Sequence, residues 1–284
     1  MQGLDLRSTQ TSTATRKATA TLKIVVAVKQ VPDTSAEKTF NASTKRLNRT
    51  SIENVLNPFD EYAIEEALRL KEKAGADTTV SIVTMAPESG REVVRKALAM
   101  GADDAALLSS DTLGGSDTMA TAYALAAAIK HVGFDLVLTG TQSTDAINSV
   151  VPAAIAEILG VPCLTYARSV TVTDGAVEVQ RETENGYLRV KAPLPALVSV
   201  TKSANEPRYA TLKGIMGAKK KEIKSLAPGD IGADAAKIGD AGSKTVVNAI
   251  APVGARAKGS VIQSSDGADA ARQIVDFLIA KKVI

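Results

Sequence analysis

The chain has 284 residues, of which 45% are apolar, 23% charged and 3% aromatic, and its formal net charge is +3. That is length for one large core, or one core and a smaller appendage, at ordinary globular composition, and the small charge singles out no partner. A lone cysteine, Cys163, excludes an intrachain disulfide framework and a cysteine-built metal site, and few aromatics without tryptophan argue against base stacking on single-stranded nucleic acid.

Residues 1–22 are rich in Thr, Ser, Ala and basic residues, with Asp5 the only acid. The composition resembles an organelle presequence but lacks an amphipathic apolar face, so the segment reads as a disordered N-terminal extension. Order is expected from Lys23, where Lys23 to Val28 forms a β-branched run suited to a central parallel strand. Pro32 then forbids continued ladder pairing. After a polar excursion through Asn48, Asn57-Pro58-Phe59-Asp60 signals a helix start, with Asn57 as cap, Pro58 at the first helical position and Asp60 three residues past the cap. The spacing puts Ile64, Ala67, Leu68 and Lys71 on one helix face and Glu65, Glu66 and Arg69 outward, and Gly75 ends the helix. The alternation repeats: strand Thr79 to Thr84, helix Glu88 to Met100, strand Ala105 to Leu108, Ala-rich helix Ser116 to His131. His131, the only histidine, falls at a helix end, where it caps or is solvated, and Ser–His–Asp or Cys–His catalysis finds little support.

The stretch from Phe134 to Gly160 carries the strongest site signal. Leu136-Val137-Leu138 reads as a buried strand, Gly140 breaks it, a polar turn runs from Thr141 to Ser149, and apolar residues return at helical spacing with Val151, Ile155, Ile158 and Leu159 on one side. Strand, polar turn and helix build the ligand crevice of open α/β sheets, and the helix start favours a phosphate. Gly140 is expected to let the backbone approach that ligand. An ordinary βα connection is the plain alternative, and a Gly-rich Walker loop is absent.

Beyond Gly160 the texture changes. Asp174-Gly175 between Val170-Thr171-Val172 and Val177-Glu178-Val179 signals a hairpin, and Asn185-Gly186 marks a second turn before Tyr187 to Val190. A last apolar strand covers Ala196 to Val200. From Ala227 onward Gly, Ala, Ser and Asp dominate until a terminal helix over Ala270 to Lys281, an arm that needs a partner surface. No apolar run approaches the roughly 20 residues of a membrane span. The expected architecture is a doubly wound, mostly parallel α/β sheet of Rossmann-like type with an antiparallel hairpin extension and a C-terminal arm. Its parts are residues 1–22 (extension), 23–226 (nucleotide-binding domain) and 227–284 (arm and helix).

Asn205-Glu206-Pro207-Arg208-Tyr209-Ala210-Thr211-Leu212, continuing through Met216 to Ala218-Lys219-Lys220-Lys221, resembles the β subunit of electron transfer flavoprotein. So do Val25 to Lys29, Asn57-Pro58-Phe59 with Ala67 to Lys71, and Ala97 to Asp103, in the family's order from Lys23 to about Gly229. Arg181, Glu184, Gly186, Val190 and Pro195 fit the family's signature, whereas Asn185 and Leu188 depart from it. The resemblance implies a heterodimer with an α subunit, one FAD shared with and held mostly by α, and an AMP in this chain. It also implies electron shuttling from acyl-CoA and related flavin dehydrogenases to a quinone oxidoreductase or another acceptor. The implied carrier has no catalytic triad or metal site of its own, no nucleic-acid partner and no membrane insertion, and lies in the cytoplasm if bacterial or the mitochondrial matrix if eukaryotic.

Carried over residue by residue, the resemblance maps AMP contacts to Ala27, Asn57, Pro58, Phe59, Asp60, Met85, Gly140, Thr141, Gln142, Ser143, Thr144, Asp145, Ala146, Ile147, Asn148, Ser149, Val150 and Val151. It maps dehydrogenase docking to Arg208, Tyr209, Leu212, Lys219 and Lys220, with Leu212 as apolar anchor on a loop, and pairing with the mobile flavin domain of α to Glu182. By residue type alone, the Lys219-Lys220-Lys221 run is a solvated helix face or a nucleic-acid patch, and Glu182 a solvated strand acid. Two further functions stay open: a bifurcating flavoprotein subunit with a second FAD in place of AMP, and a nucleotide-binding protein of the same fold, which should carry the missing Gly-rich loop.

Overall fold

A computed structural model describes residues 22–75, 77–251, 254 and 259–284. Of the extension expected at the N-terminus, residues 1–21 lie outside the described residues; Leu22 is itself buried, and its carbonyl accepts from the Thr79 N–H at 3.0 Å. Residues up to Val247 form one compact unit and Asn248–Ile284 a second.

The first unit is built on a nine-stranded sheet in the order β11-β5-β4-β1-β6-β10-β7-β8-β9. Its strands are β1 (Lys23–Ala27), β4 (Thr79–Met85), β5 (Asp104–Leu108), β6 (Leu136–Gly140), β7 (Cys163–Thr173), β8 (Ala176–Thr183), β9 (Gly186–Pro193), β10 (Ala196–Val200) and β11 (Ile223–Leu226). Pairings from β11 to β7 are parallel, while β7–β8 and β8–β9 are antiparallel, as the hairpin signals require. The first hairpin turn has positive φ at both Asp174 and Gly175, the geometry that matches strand twist. A small antiparallel pair, β2 (Gln30–Pro32) and β3 (Asn54–Leu56), closes the excursion between them, and Pro32 is its last paired residue.

Helices cover both faces. On one lie α1 (Pro58–Ala74), α2 (Arg91–Met100) and α5 (Leu212–Lys220), packed against Ile24, Val26, Ile82, Leu136 and Leu138. On the other lie α3 (Thr118–Val132), α4 (Val151–Leu159) and the short α6 (Gly239–Gly242), against Val25, Ala27, Val83 and Val137. The near-continuous apolar strands follow from burial on both faces. Because β1 has β4 on one side and β6 on the other, the chain reverses its winding beside β1, the point at which open α/β sheets hold ligands beyond the carboxyl ends of their strands.

Three details differ from the periodicity reading. Glu65 and Glu66 are buried rather than outward, because residues 205–208 lie over them. Ile158 of α4 is exposed; of the expected face Ile155 is fully buried, and it is joined by Ala154 and Ala156, small residues that let the helix sit close to α3. Residues 227–247, grouped from composition with the arm, belong to the first unit: Ile238 is buried, and Asp117, which caps α3 with one carboxylate oxygen, accepts from the Lys244 and Thr245 N–H groups with the other. In the second unit, α7 (Gly267–Ala280) is capped by Asp266 and carries exposed Ile274, Val275, Phe277 and Ile279.

Candidate functional site

The carboxyl ends of β1, β4 and β6 bring together Ala27, Met85 and Gly140, and the turn from Thr141 to Val150 leads into α4. Asn57 does not cap α1 with its side chain. It is buried and reaches across instead: its Nδ2 donates to the Gln142 carbonyl at 2.9 Å, and its Oδ1 accepts from the Thr144 N–H at 3.3 Å. Asp60 is stitched to the end of β1 by the Lys29 N–H at 2.8 Å. Burial pushes its pKa up to about 7, against the lowering pull of bonds from Lys29, Asn57 and the Gly140 N–H. The glycine at 140 serves this packing: a Cβ there would stand 2.6 Å from Asp60 Oδ1 and 2.8 Å from the Phe59 carbonyl. Its small size admits the start of α1.

Asp145 is the centre of the turn. Its side chain is 3% exposed and meets Lys29 Nζ at 2.7 Å and the Arg49 guanidinium. Burial raises its pKa, but the bonds from Lys29 and Arg49 outweigh that and hold it down at about 2. Lys29 also reaches Ser143 Oγ at 3.2 Å, and Ser149 Oγ meets Gln142 Oε1 at 3.0 Å. Ile147 and Ser149 sit at φ 50° and 54°, a costly conformation for a β-branched residue, held only because the surroundings fix it. Ala146, Ile147 and Val150 are exposed, and Asn148 ties the turn to Thr118 of α3 at 3.0 Å.

The described residues leave donors there without partners. The Thr84, Thr139 and Thr144 hydroxyls and Arg49 NH1 are buried with no hydrogen-bond partner. At the start of α4, Pro152 has no N–H and that of Val150 is taken by Asn148 Oδ1, which leaves the terminal donors of Val151 and Ala153. Unpaired hydroxyl, guanidinium and amide donors beside a helix N-terminus suit a phosphorylated, partly apolar ligand.

The docking candidates lie elsewhere, on the α1/α2 face. Leu212 is the first residue of helix α5, not part of a loop, because the Thr211 hydroxyl caps that helix through the Gly214 N–H at 3.0 Å. Tyr209, Leu212 and Met216 are 95%, 75% and 62% exposed. Lys219 and Lys220 are exposed in the last turn, whereas Lys221 is drawn in to donate to the Ala102 carbonyl. Arg208 is turned inward onto Glu65 and Glu72. Glu182 is half-buried on β8, opposite Tyr187 of β9.

The electron transfer flavoprotein domain matches residues 44–231. The chain is 43% identical over 267 residues to an electron transfer flavoprotein subunit beta from Mycobacterium leprae, covering 92% of this chain and 99% of the relative. The chain belongs to the electron transfer flavoprotein β-subunit family. A second such subunit, from Megasphaera elsdenii, is 42% identical over 93% of this chain and all of its own length. Subunit CarD of a caffeyl-CoA reductase–Etf complex from Acetobacterium woodii is 37% identical, again over 93% of this chain and all of its own length. Among the described residues no helix is long and apolar enough to cross a membrane.

For this member of the β-subunit family, sequence alone missed Arg49, Glu65, Glu66, Glu72 and Asn205. Arg49 lies in a polar excursion with no periodicity to mark it, and its partner is 96 residues away. Glu65 and Arg208 are 143 residues apart, and the helical pattern around Glu65 reads as a solvated face.

Proposed function

We propose that the chain is the β subunit of a heterodimeric electron carrier, pairing with an α subunit and completing an FAD site held mainly by α. In this reading AMP lies in the crevice formed by Ala27, Asn57–Asp60, Met85 and the Gly140–Val151 turn, and contributes to folding rather than to turnover. Flavin dehydrogenases, those for acyl-CoA among them, dock on the ridge of Tyr209, Leu212 and Lys219–Lys220, and a quinone oxidoreductase or similar acceptor takes the electrons onward. The bound FAD supplies the electron-holding chemistry. The chain's own residues bind, orient and dock.

The observation that carries the nucleotide reading is the set of unpartnered buried donors around a turn already fixed in place by Asp145 and Asn57. A pinned turn with free amide and hydroxyl donors can hold a phosphate without reorganising, and exposed Ile147 and Val150 offer apolar contact to a base or ribose. Asp60, with its pKa near 7, puts only partial negative charge at the head of α1 at neutral pH. The exposed apolar face of α7 supports an arm that packs on another subunit.

The likeness to the subunit of a caffeyl-CoA reductase–Etf complex favours a second reading, with FAD in place of AMP in the same crevice. Purification of the chain alone and then with its α partner tests the main reading. The lone chain is expected to be colourless and poorly behaved and the pair yellow; a stable yellow lone chain with stoichiometric FAD would contradict it.

A further inference from the structure

We propose that Glu65 is a positioning residue for partner docking, its buried carboxylate setting the pose of the segment that carries Tyr209, Leu212 and Met216. This rests on the reading of that segment as the docking surface. Glu65 lies mid-way along α1, and Arg208 binds it as a fork, Nε to Oε2 at 2.7 Å and NH2 to Oε1 at 3.0 Å. The Arg208 backbone N–H also donates to Oε2 at 3.2 Å, so one carboxylate fixes both the main chain and the side chain of one residue. The third guanidinium nitrogen reaches Glu72 at 2.6 Å. One turn of chain earlier, Asn205 Nδ2 bridges the Tyr62 carbonyl and Glu66 Oε2, each at 3.0 Å.

The far end of the segment is held as firmly. Gly214 lies so close to the Ala99 carbonyl that a Cβ would come within 2.4 Å, and Arg95 of α2 donates to the Ala218 and Lys221 carbonyls at the end of α5. Between these clamps Tyr209, Leu212 and Met216 expose most of their surface, so packing under them does little to fix their direction. Their pose is inherited from the backbone, and the backbone between Ser203 and Thr211 is tied down chiefly through Asn205 and Arg208. An apolar anchor held ready in this way avoids the ordering cost that a loose loop would meet on binding. Glu65 touches no partner in this scheme. It acts through Arg208.

The test uses the co-expressed αβ heterodimer and an acyl-CoA dehydrogenase purified from the same cells, with initial electron-transfer rates measured against heterodimer concentration. Glu65→Gln is expected to raise the apparent KM for the heterodimer roughly fivefold, with kcat and flavin content unchanged, and to speed amide exchange over residues 205–216. Glu72→Gln, which loosens the same arginine from its exposed side, should give a smaller rise. A merely structural role would add to the effect of losing the anchor, whereas a positioning role is masked by it: Glu65→Gln with Leu212→Ala should match Leu212→Ala alone. If Leu212→Ala raises KM but Glu65→Gln does not, or if the two effects add, the positioning role is overturned while the docking reading stands. If Leu212→Ala leaves KM unchanged, the docking reading itself fails and the proposal with it.

Discussion

The turn from Thr141 to Val150 and the ridge of Tyr209, Leu212 and Met216 are each held by one buried carboxylate between two cations, and they differ in which side carries the acid. At the crevice, Asp145 sits on the turn and its cations reach it from outside, Lys29 from just beyond β1 and Arg49 from the excursion between β2 and β3. At the ridge, Glu65 sits on framework helix α1, where Arg69 lies 3.4 Å away, and Arg208 comes from the segment being held. Desolvation makes the two arrangements unequal. Lys29 and Arg49 are 41% and 39% exposed, so water can solvate them if Asp145 is lost. Glu65 is 5% exposed, so loss of Arg208 strands a buried carboxylate.

The largest expected effect is therefore at the ridge. Arg208→Met should cost about 3 kcal/mol of stability in denaturant unfolding, toward the low end for a broken buried pair because Arg69 remains near Glu65. Adding Glu65→Gln should restore much of that loss; failure to do so would mean that the stranded charge is not the cause. Next comes Leu212→Ala, expected to weaken dehydrogenase docking by about 2 kcal/mol, roughly thirtyfold, at low and high salt alike and with unchanged flavin content. Wild-type electron transfer together with lowered stability would mark Leu212 as a core residue.

At the crevice, Asp145→Asn should cost about 2 kcal/mol of stability, less than Arg208→Met, while speeding nucleotide loss from the washed complex. A loss as large as that of Arg208→Met would break the comparison. The two crevice acids also predict opposite pH slopes. Asp145 titrates near 2 when folded, below its unfolded value, so its contribution is present above about pH 4 and lost as pH falls toward 2. Asp60 titrates near 7 when folded, above its unfolded value, so the folded state binds the extra proton and stability falls as pH rises from about 4 to 7. Unfolding of Asp60→Asn at pH 5 and pH 8 should show a flatter slope than wild type; an identical slope would remove Asp60 from the account. The smallest effect belongs to Lys219 and Lys220. Their replacement by Gln should slow dehydrogenase association a few-fold at low salt, and the difference should fade as salt rises.

The strand–helix alternation, the hairpin turn at Asp174-Gly175 and the strand–turn–helix from Leu136 to Leu159 were legible from period and turn chemistry, whereas the second hairpin turn falls one residue earlier than Asn185-Gly186, at Glu184-Asn185, with Gly186 already paired to Thr183. What escaped was long-range and polar. Asn57 carries the composition of a helix cap, yet the turn across the sheet competes for its side chain and wins. The need for glycine at 140 also comes from a distant segment, because a Cβ there would meet Phe59 and Asp60 at the start of α1. Glu65 and Glu66 read as solvent-facing because helical periodicity knows nothing of a segment that folds back from residue 205. Leu212 reads as a loop residue because Thr211 gives a one-residue start signal with no apolar stripe behind it.

The most direct measurement is the nucleotide and flavin content of the co-expressed αβ complex, washed exhaustively, denatured and resolved by chromatography. One FAD and one AMP per heterodimer are expected, with no hydrolysis of added ATP. Two FAD and no AMP, or turnover of ATP, would contradict the AMP reading.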